Sequence, residues 1–199
     1  KGTRNNDVLD GSYESYYENG RLISKGTYKN GERISLWESY DTEGRLEYKH
    51  TYKDGQLAAR ETYKDGVKDG SYEEYYENGQ LRDTETYKND VRDGPFASYY
   101  ENGQLKSKGT RNNDVLDGSY ASYYENGQLR DTETYNNGVQ DGPYEGYHEN
   151  GRLISKGTYK DGQLQDTETY MNDVRDGSSE SYYENGQLRD TETYKNDVR

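Results

Sequence analysis

Residues 71–94 read Ser71-Tyr72-Glu73-Glu74-Tyr75-Tyr76-Glu77-Asn78-Gly79-Gln80-Leu81-Arg82-Asp83-Thr84-Glu85-Thr86-Tyr87-Lys88-Asn89-Asp90-Val91-Arg92-Asp93-Gly94. A Tyr-rich block and a Thr/Tyr-rich block, both good strand compositions, flank Asn78-Gly79. That dipeptide predicts a type I′ hairpin turn, in which both central residues need positive φ. The Lys88–Gly94 segment then returns the chain to the next hairpin. Helical spacing of apolar residues is absent, and Gly and Asn-Asp punctuation arrives too often for a helix. With Asn78 and Gly79 as the loop, Tyr76 faces Leu81, Tyr75 faces Arg82 and Tyr72 faces Glu85. Alternation then places Tyr72, Glu74, Tyr76, Leu81, Asp83, Glu85 and Tyr87 on one face. Glu73, Tyr75, Arg82, Thr84 and Thr86 take the other. Neither face is apolar enough for a sandwich core. The expected fold is all-β, a single-layer antiparallel meander of tandem β-hairpin repeats. Such an elongated, solenoid-like sheet would be held by cross-strand tyrosine contacts.

The same stretch recurs along the chain. Turn-ending residues such as Asp7, Gly20, Gly31 and Gly44 follow at alternating intervals of 13 and 11 residues, a 24-residue unit. A fixed period of this size marks a repeat architecture. The alternation breaks twice, because Gly44, Gly55 and Gly66, and again Gly151, Gly162 and Asp173, are each 11 apart. Residues 1–199 are therefore read as one continuous array with extra 11-residue strand units near 45–66 and 152–173. One extra strand reverses the sheet edge on which later turns sit. The Asn-Gly tips should lie on one edge up to Gly44, on the other from Gly79 to Gly151, and back again at Gly186. In the first unit Tyr13 falls opposite Gly26, where a ring can cover the bare glycine. Trp37 and Phe96 occupy the slot of Tyr13 and Tyr72 as packing variants.

A hydrophobic share of 27% and a net charge of −13 would ordinarily indicate disorder. The 25 tyrosines overturn that reading, since each ring can bury roughly 150–250 Å². The rings of one unit still stabilise by less than the entropy of ordering its backbone. Neighbouring units must share them. The acidic balance argues against nucleic acid, whose phosphates need Lys and Arg, and against anionic membrane surfaces. The absence of Cys excludes disulfides, thiolate metal sites and thiol catalysis. No apolar run approaches the roughly 20 residues of a spanning helix. The chain starts at Lys1 in mid-unit with no visible signal peptide. Both ends stop inside a unit without the polar caps that keep arrays soluble, and exposed edge strands recruit partners. The expectation is a piece of a larger extracellular or cell-surface array or fibre, or edges that join end to end.

His50 and His148 lie in unrelated positions of their units and read as surface strand residues. Metal and catalytic sites need clustered partners. Without a paired His the serines have no base. Carboxylates such as Glu74 and Asp83 recur in several units, as a solvated acidic stripe does. A calcium loop needs acids at its first, third and fifth places with Gly sixth. Setting Gly94 sixth puts Asn89 first and Val91 third, so the match fails. No metal and no cofactor is expected. The Tyr pairs 16–17, 75–76, 99–100, 123–124 and 182–183 send their two rings to opposite faces. Cross-strand packing is the main expectation for them. The alternative is an exposed ladder of Tyr17, Tyr76, Tyr100, Tyr124 and Tyr183 that binds a protein or a glycan.

The run Tyr-x-x-Tyr-Tyr-x-Asn-Gly-x-Leu at 72–81, 120–129 and 144–153 (the last with His148) resembles the MORN-repeat class. It is closest to the bacterial variant whose members are often described as antitoxin components. Tyr144-Glu145-Gly146-Tyr147 keeps the Tyr-Glu-Gly start of the ordinary motif; the other units replace that Gly with Ser or Glu. The resemblance covers essentially the whole chain and implies scaffolds, surface proteins or immunity factors. The leading expectation is a non-enzymatic structural or interaction protein. An antitoxin-type binder, whose acidic face would suit a basic toxin, is the alternative. A glycan-processing enzyme would need a unique cleft, and none is legible.

Overall fold

The computed structural model describes residues 2–5 and 7–199. The chain divides into two compact units, Lys1–Gly94 with Glu101–Gly103 and Pro95–Tyr100 with Gln104–Arg199. The first unit carries β1 (Gly2–Asn5), β2 (Val8–Tyr16), β3 (Leu22–Lys29), β4 (Glu32–Tyr40), β5 (Leu46–Lys53), β6 (Gln56–Lys64), β7 (Val67–Tyr75), β8 (Leu81–Lys88) and β9 (Val91–Arg92). The second begins in β10 (Gly94–Tyr99) and continues through β11 (Leu105–Asn112), β12 (Val115–Leu116), β13 (Gly118–Tyr123), β14 (Leu129–Asn136) and β15 (Val139–Gln140). It ends with β16 (Gly142–Tyr147), β17 (Leu153–Lys160), β18 (Gln163–Met171), β19 (Val174–Tyr182) and β20 (Leu188–Tyr194). Among the described residues there is no helix. Each unit is an antiparallel meander of tandem hairpins, as the sequence predicts, with sequential strands paired.

The turns correct one expectation. At Asn78-Gly79 the Gly79 N–H donates to the Tyr76 carbonyl at 2.9 Å, and the Tyr76 N–H to the Gln80 carbonyl at 2.8 Å. Only Gly79, at φ 81°, has a positive φ there. This is a three-residue loop, a type I turn closed by a left-handed glycine. Asn78 serves it through its side chain, whose Oδ1 accepts the Gln80 N–H at 2.9 Å. The two-residue type I′ loops lie at the other kind of turn, such as Asn30-Gly31 (51°, 85°) and Asn89-Asp90 (51°, 66°). Those loops are closed by the pairs Lys29↔Glu32 and Lys88↔Val91. Asn and Asp tolerate the left-handed region better than other side chains.

The register is affected only beside the turn. Tyr72↔Glu85 and Glu74↔Asp83 pair as expected, but Tyr75 pairs with Leu81 rather than Arg82. The longer loop needs one extra residue, and Arg82 takes it as a β-bulge. Tyr76 therefore does not face Leu81, and Leu81 joins the side of Tyr75.

The inserted strands exchange more than the sequence suggests. In the first unit the Gly20 turn lies against the Gly44 turn, with Asn19 Nδ2 donating to the Thr42 carbonyl at 3.2 Å. On the opposite edge, Lys53 beside the Gly55 turn reaches Glu77 of the Gly79 turn at 2.7 Å. The Gly44 and Gly79 turns thus sit on opposite edges. In the second unit Asn126 Nδ2 donates to the Glu149 carbonyl at 3.0 Å, beside the Gly151 turn. The Gly186 turn instead abuts Gln163, by the Gly162 turn.

The faces exchange as well. Paired residues share a face, and the row Trp37↔His50↔Arg60↔Glu73 runs along one side. The row Glu38↔Lys49↔Glu61↔Tyr72 runs along the other. Trp37 and Tyr72 fill the same slot of their repeats yet point to opposite sides. A strand that runs backwards while the sheet keeps growing one way is related to its equivalents by a half-turn about the growth direction. That rotation swaps faces together with edges. The second unit repeats the pattern, with Tyr144↔Gly157↔Thr167 on one side and Lys156↔Glu168↔Ser179 on the other.

Cohesion comes from rings rather than a core. Trp37, 2% exposed, is the buried hydrophobic side chain among the described residues. Its ring lies 5.6 Å from Tyr13 and 4.9 Å from Tyr28, and Nε1 donates to the Thr27 carbonyl at 3.2 Å. Tyr13 pairs with Gly26 as expected, but the ring pressed onto that glycine is Trp37 from the next strand, which leaves no room for a Cβ. At Gly109 the covering ring is Phe96, from the preceding strand, and it stacks on Tyr120 at 6.4 Å.

Candidate functional site

The five tyrosines of the expected ladder are not a row of free rings. Tyr17, Tyr76, Tyr100 and Tyr124 are half-buried. The Tyr17 hydroxyl donates to the Tyr40 carbonyl at 2.9 Å, Tyr100 to Tyr123 at 2.8 Å and Tyr124 to Tyr147 at 2.7 Å. Each hydroxyl thereby ties one three-residue turn to the next of its kind. Tyr76 anchors its own turn through its backbone. Tyr183, 53% exposed, is the open member.

The partner ring in three of the pairs, and Tyr147 beside His148, has another recurring use. Tyr16, Tyr75, Tyr147 and Tyr182 donate to Glu14, Glu73, Glu145 and Glu180, two residues back on the same face. Tyr40 does so to Glu38 at 2.8 Å and Tyr63 to Glu61 at 2.7 Å. The signal Glu-x-Tyr is present in the sequence, and strand alternation would have exposed it. Burial, then the bond to Glu73, pushes the Tyr75 phenol up to about 12. For Tyr147 the bond to Glu145 leads and burial follows, again to about 12. Burial pushes the Glu61 carboxyl up, but hydrogen bonds from Lys68 and Tyr63 outweigh it and hold Glu61 below its usual range. Glu73 is lowered in the same way, by Tyr75 and Arg60 against burial. Glu74 and Asp83 face one another directly, and Arg82 bridges them.

His50 sits between Tyr48 and Tyr52, at 6.0 and 6.4 Å between ring centres. Burial first, then Arg60 and Arg33, lowers its pKa. His148 stands in the slot of Tyr17 and closes its turn, its N–H donating to the Arg152 carbonyl at 2.9 Å. Among the described residues no group of His, Asp and Glu is placed to hold a metal ion.

The unusual surfaces lie where strands are inserted. Elsewhere a turn nests on a turn of its own kind. At the insertions, three-residue and two-residue turns become neighbours, those contacts fail, and hollows open. One of about 460 Å³ lies between Gln56, Leu57, Tyr75, Tyr76 and Arg82. On the other edge Arg45, Leu46, Tyr63 and Asp65 line about 250 Å³. In the second unit His148, Arg152, Tyr170 and Asp176 border about 570 Å³. There the Leu153 N–H donates to Asp173 at 3.3 Å across unlike turns. A further hollow of about 510 Å³ lies over Lys156, Glu168, Arg175 and Ser179 on one face. The sequence shows the insertions, but not that surface opens there.

The sequence pattern of the family described as MORN repeat variant matches residues 9–30, 35–54, 68–89, 92–113, 116–137, 140–161 and 175–196. The matches pass over residues 55–67 and 162–174, which contain the inserted strands β6 and β18. No curated protein matches the chain. Among solved structures, a crystal structure of the GtfA/B complex bound to UDP and GlcNAc aligns at 18% identity and TM-score 0.26, over 56% of this chain and 22% of that one. The TcdB2-TccC3 crystal structure aligns at 11% identity and TM-score 0.23, over 89% of this chain and 13% of that one. The chain thus spans under a quarter of either, and at those scores neither bears on fold or role. The seven matched segments fill well over half of the sequence, each spanning one three-residue turn and ending at the first residue of a two-residue turn, and the chain belongs to the MORN repeat variant family.

Proposed function

We propose that this chain is a non-enzymatic interaction array, part of a larger extracellular repeat protein or fibre, that presents its acidic, tyrosine-studded faces to a protein partner. The observation that carries this reading is the state of the carboxylates. Proton-transfer catalysis by a carboxylic acid calls for a raised pKa in a unique cleft. Here Glu38, Glu61, Glu73 and Glu168 are held low, each by a cation and a neighbouring Tyr hydroxyl acting against burial. The arrangement recurs from hairpin to hairpin. Such a surface keeps its negative charge at neutral pH and suits recognition. Residues 1–199 act in this reading as one array whose inserted strands re-aim its faces.

The net charge of −13 also favours a second reading, an antitoxin-type binder that captures a basic protein through electrostatic complementarity. Light scattering and electron microscopy of the purified chain separate the two. Concentration-dependent growth into fibres supports the array. A stable monomer that binds a basic toxin with salt-sensitive affinity supports the binder.

A further inference from the structure

The slot filled by Tyr13, Trp37, Tyr72, Phe96, Tyr120 and Tyr144 holds a serine in the last repeat, Ser179. The first unit shows what the slot does when it is filled. Tyr72 follows the inserted strand β6, lies 6.2 Å from Tyr87, and has Lys68 over its ring at 5.1 Å. Lys68 also covers Tyr87 at 4.5 Å and pairs with Glu61 at 2.8 Å, so one cation bridges two rings. The second unit rebuilds this arrangement with the ring removed. Ser179 follows the inserted strand β18, Arg175 replaces Lys68 and pairs with Glu168, and Arg175 covers Tyr194 at 4.6 Å. The ring that corresponds to Tyr72 is missing. In its place is the hollow of about 510 Å³, bordered by Lys156, Glu168, Arg175, Ser179 and Ser181.

We propose that the Ser179 hollow is a docking site for a tyrosine side chain presented by a partner polypeptide. Its own repeats supply the template for the occupant. Six equivalent slots hold an aromatic ring, and the guanidinium that borders the hollow attracts the face of another ring. The hollow is polar at its rim, and Ser181 holds the position of Glu74, which accepts the Tyr72 hydroxyl at 3.3 Å; a hydroxyl-bearing ring is favoured over an aliphatic side chain. Binding would complete the Arg175 bridge between an incoming ring and Tyr194, as Lys68 bridges Tyr72 and Tyr87. The inference deepens the reading of the chain as an interaction array by naming what its partner offers.

The test is titration of the whole chain with N-acetyl-L-tyrosinamide, followed by amide NMR, with N-acetyl-L-leucinamide as the comparison. Saturable shifts around Ser179, Arg175 and Lys156 are expected, with a dissociation constant on the order of millimolar for a lone ring. Leucinamide should bind at least about tenfold more weakly. Ser179→Tyr fills the slot as the other repeats do and should abolish the shifts. Arg175→Gln should weaken binding several-fold and provides a second reading if the first variant folds poorly. Absence of saturable shifts, equal shifts with leucinamide, or binding that survives Ser179→Tyr would each overturn the proposal. Such a failure would leave the array reading standing, because scattering and microscopy test that separately.

Discussion

Strands β2–β4 and strands β7–β8 are built from the same repeat, yet they place their rings on opposite sides of the sheet. In β2–β4, three rings share one cluster, and Trp37 is almost sealed from water. In β7–β8, two rings face each other and a lysine supplies the third contact. The residues alone do not decide the side, since Trp37 and Tyr72 occupy equivalent slots. The number of strands between them does. A single inserted strand is enough to turn the following repeats over.

The contrast in packing can be broken most severely at its densest point. Trp37→Ala should cost about 3–5 kcal/mol, the usual range for emptying a large aromatic site. Tyr72→Ala, half-buried and with fewer ring neighbours, should cost less. Urea unfolding followed by circular dichroism measures both, and equal losses would mean the two clusters are energetically alike. Next in size is Gly26→Ala, which forces a methyl group into the Trp37 ring and should cost about 1–3 kcal/mol. Gly146→Ala is its control. The nearest atoms there are the Asp131 and Ser155 side-chain oxygens at 3.6 Å, so the change should stay within about 0.5 kcal/mol.

Acid should erode both regions together. Glu38 beside β2–β4 and Glu61 and Glu73 beside β7–β8 have lowered pKa values in the folded chain. Between the folded and unfolded values the unfolded chain binds more protons, so stability falls as pH falls. Their contribution is complete above the ordinary glutamate value of about 4.3 and disappears as pH drops through the folded values. Glu61→Gln should flatten part of that slope in unfolding measured from pH 6 to pH 2. Tyr17→Phe, which removes one hydroxyl bond to the Tyr40 carbonyl, should cost about 0.5–1.5 kcal/mol. Tyr183→Phe, on an exposed ring, should be close to neutral.

Much of the architecture was legible because it rests on period and alternation. The 24-residue unit, the strand pairing of Tyr72 with Glu85 and the exchange of turn edges all follow from counting residues. The turn types were not legible from Asn-Gly alone. That dipeptide also serves a three-residue loop in which Asn acts through its side chain, and the φ of Asn78 and the backbone bonds of Tyr76 distinguish the two. The bulge at Arg82 follows from that loop, so the faces read beside the turn were displaced. The Tyr17, Tyr100 and Tyr124 rings looked available because alternation says nothing about a hydroxyl reaching a turn 23 residues on. The hollow at Ser179 needed the face exchange to be known first, since a missing ring matters only where a cation waits beside it.

The direct test of the face exchange is deletion of residues 54–64, which joins Lys53 to Asp65-Gly66 and leaves a complete two-residue turn. Without the extra strand, Tyr72 should return to the side of Trp37 and stand opposite His50, which in the parent pairs with Trp37 on one side and Arg60 on the other. A nuclear Overhauser contact between the His50 imidazole and the Tyr72 ring in the deletion variant, absent from the parent, is the predicted result. The same contact in the parent, or its absence from a folded deletion variant, would contradict the account.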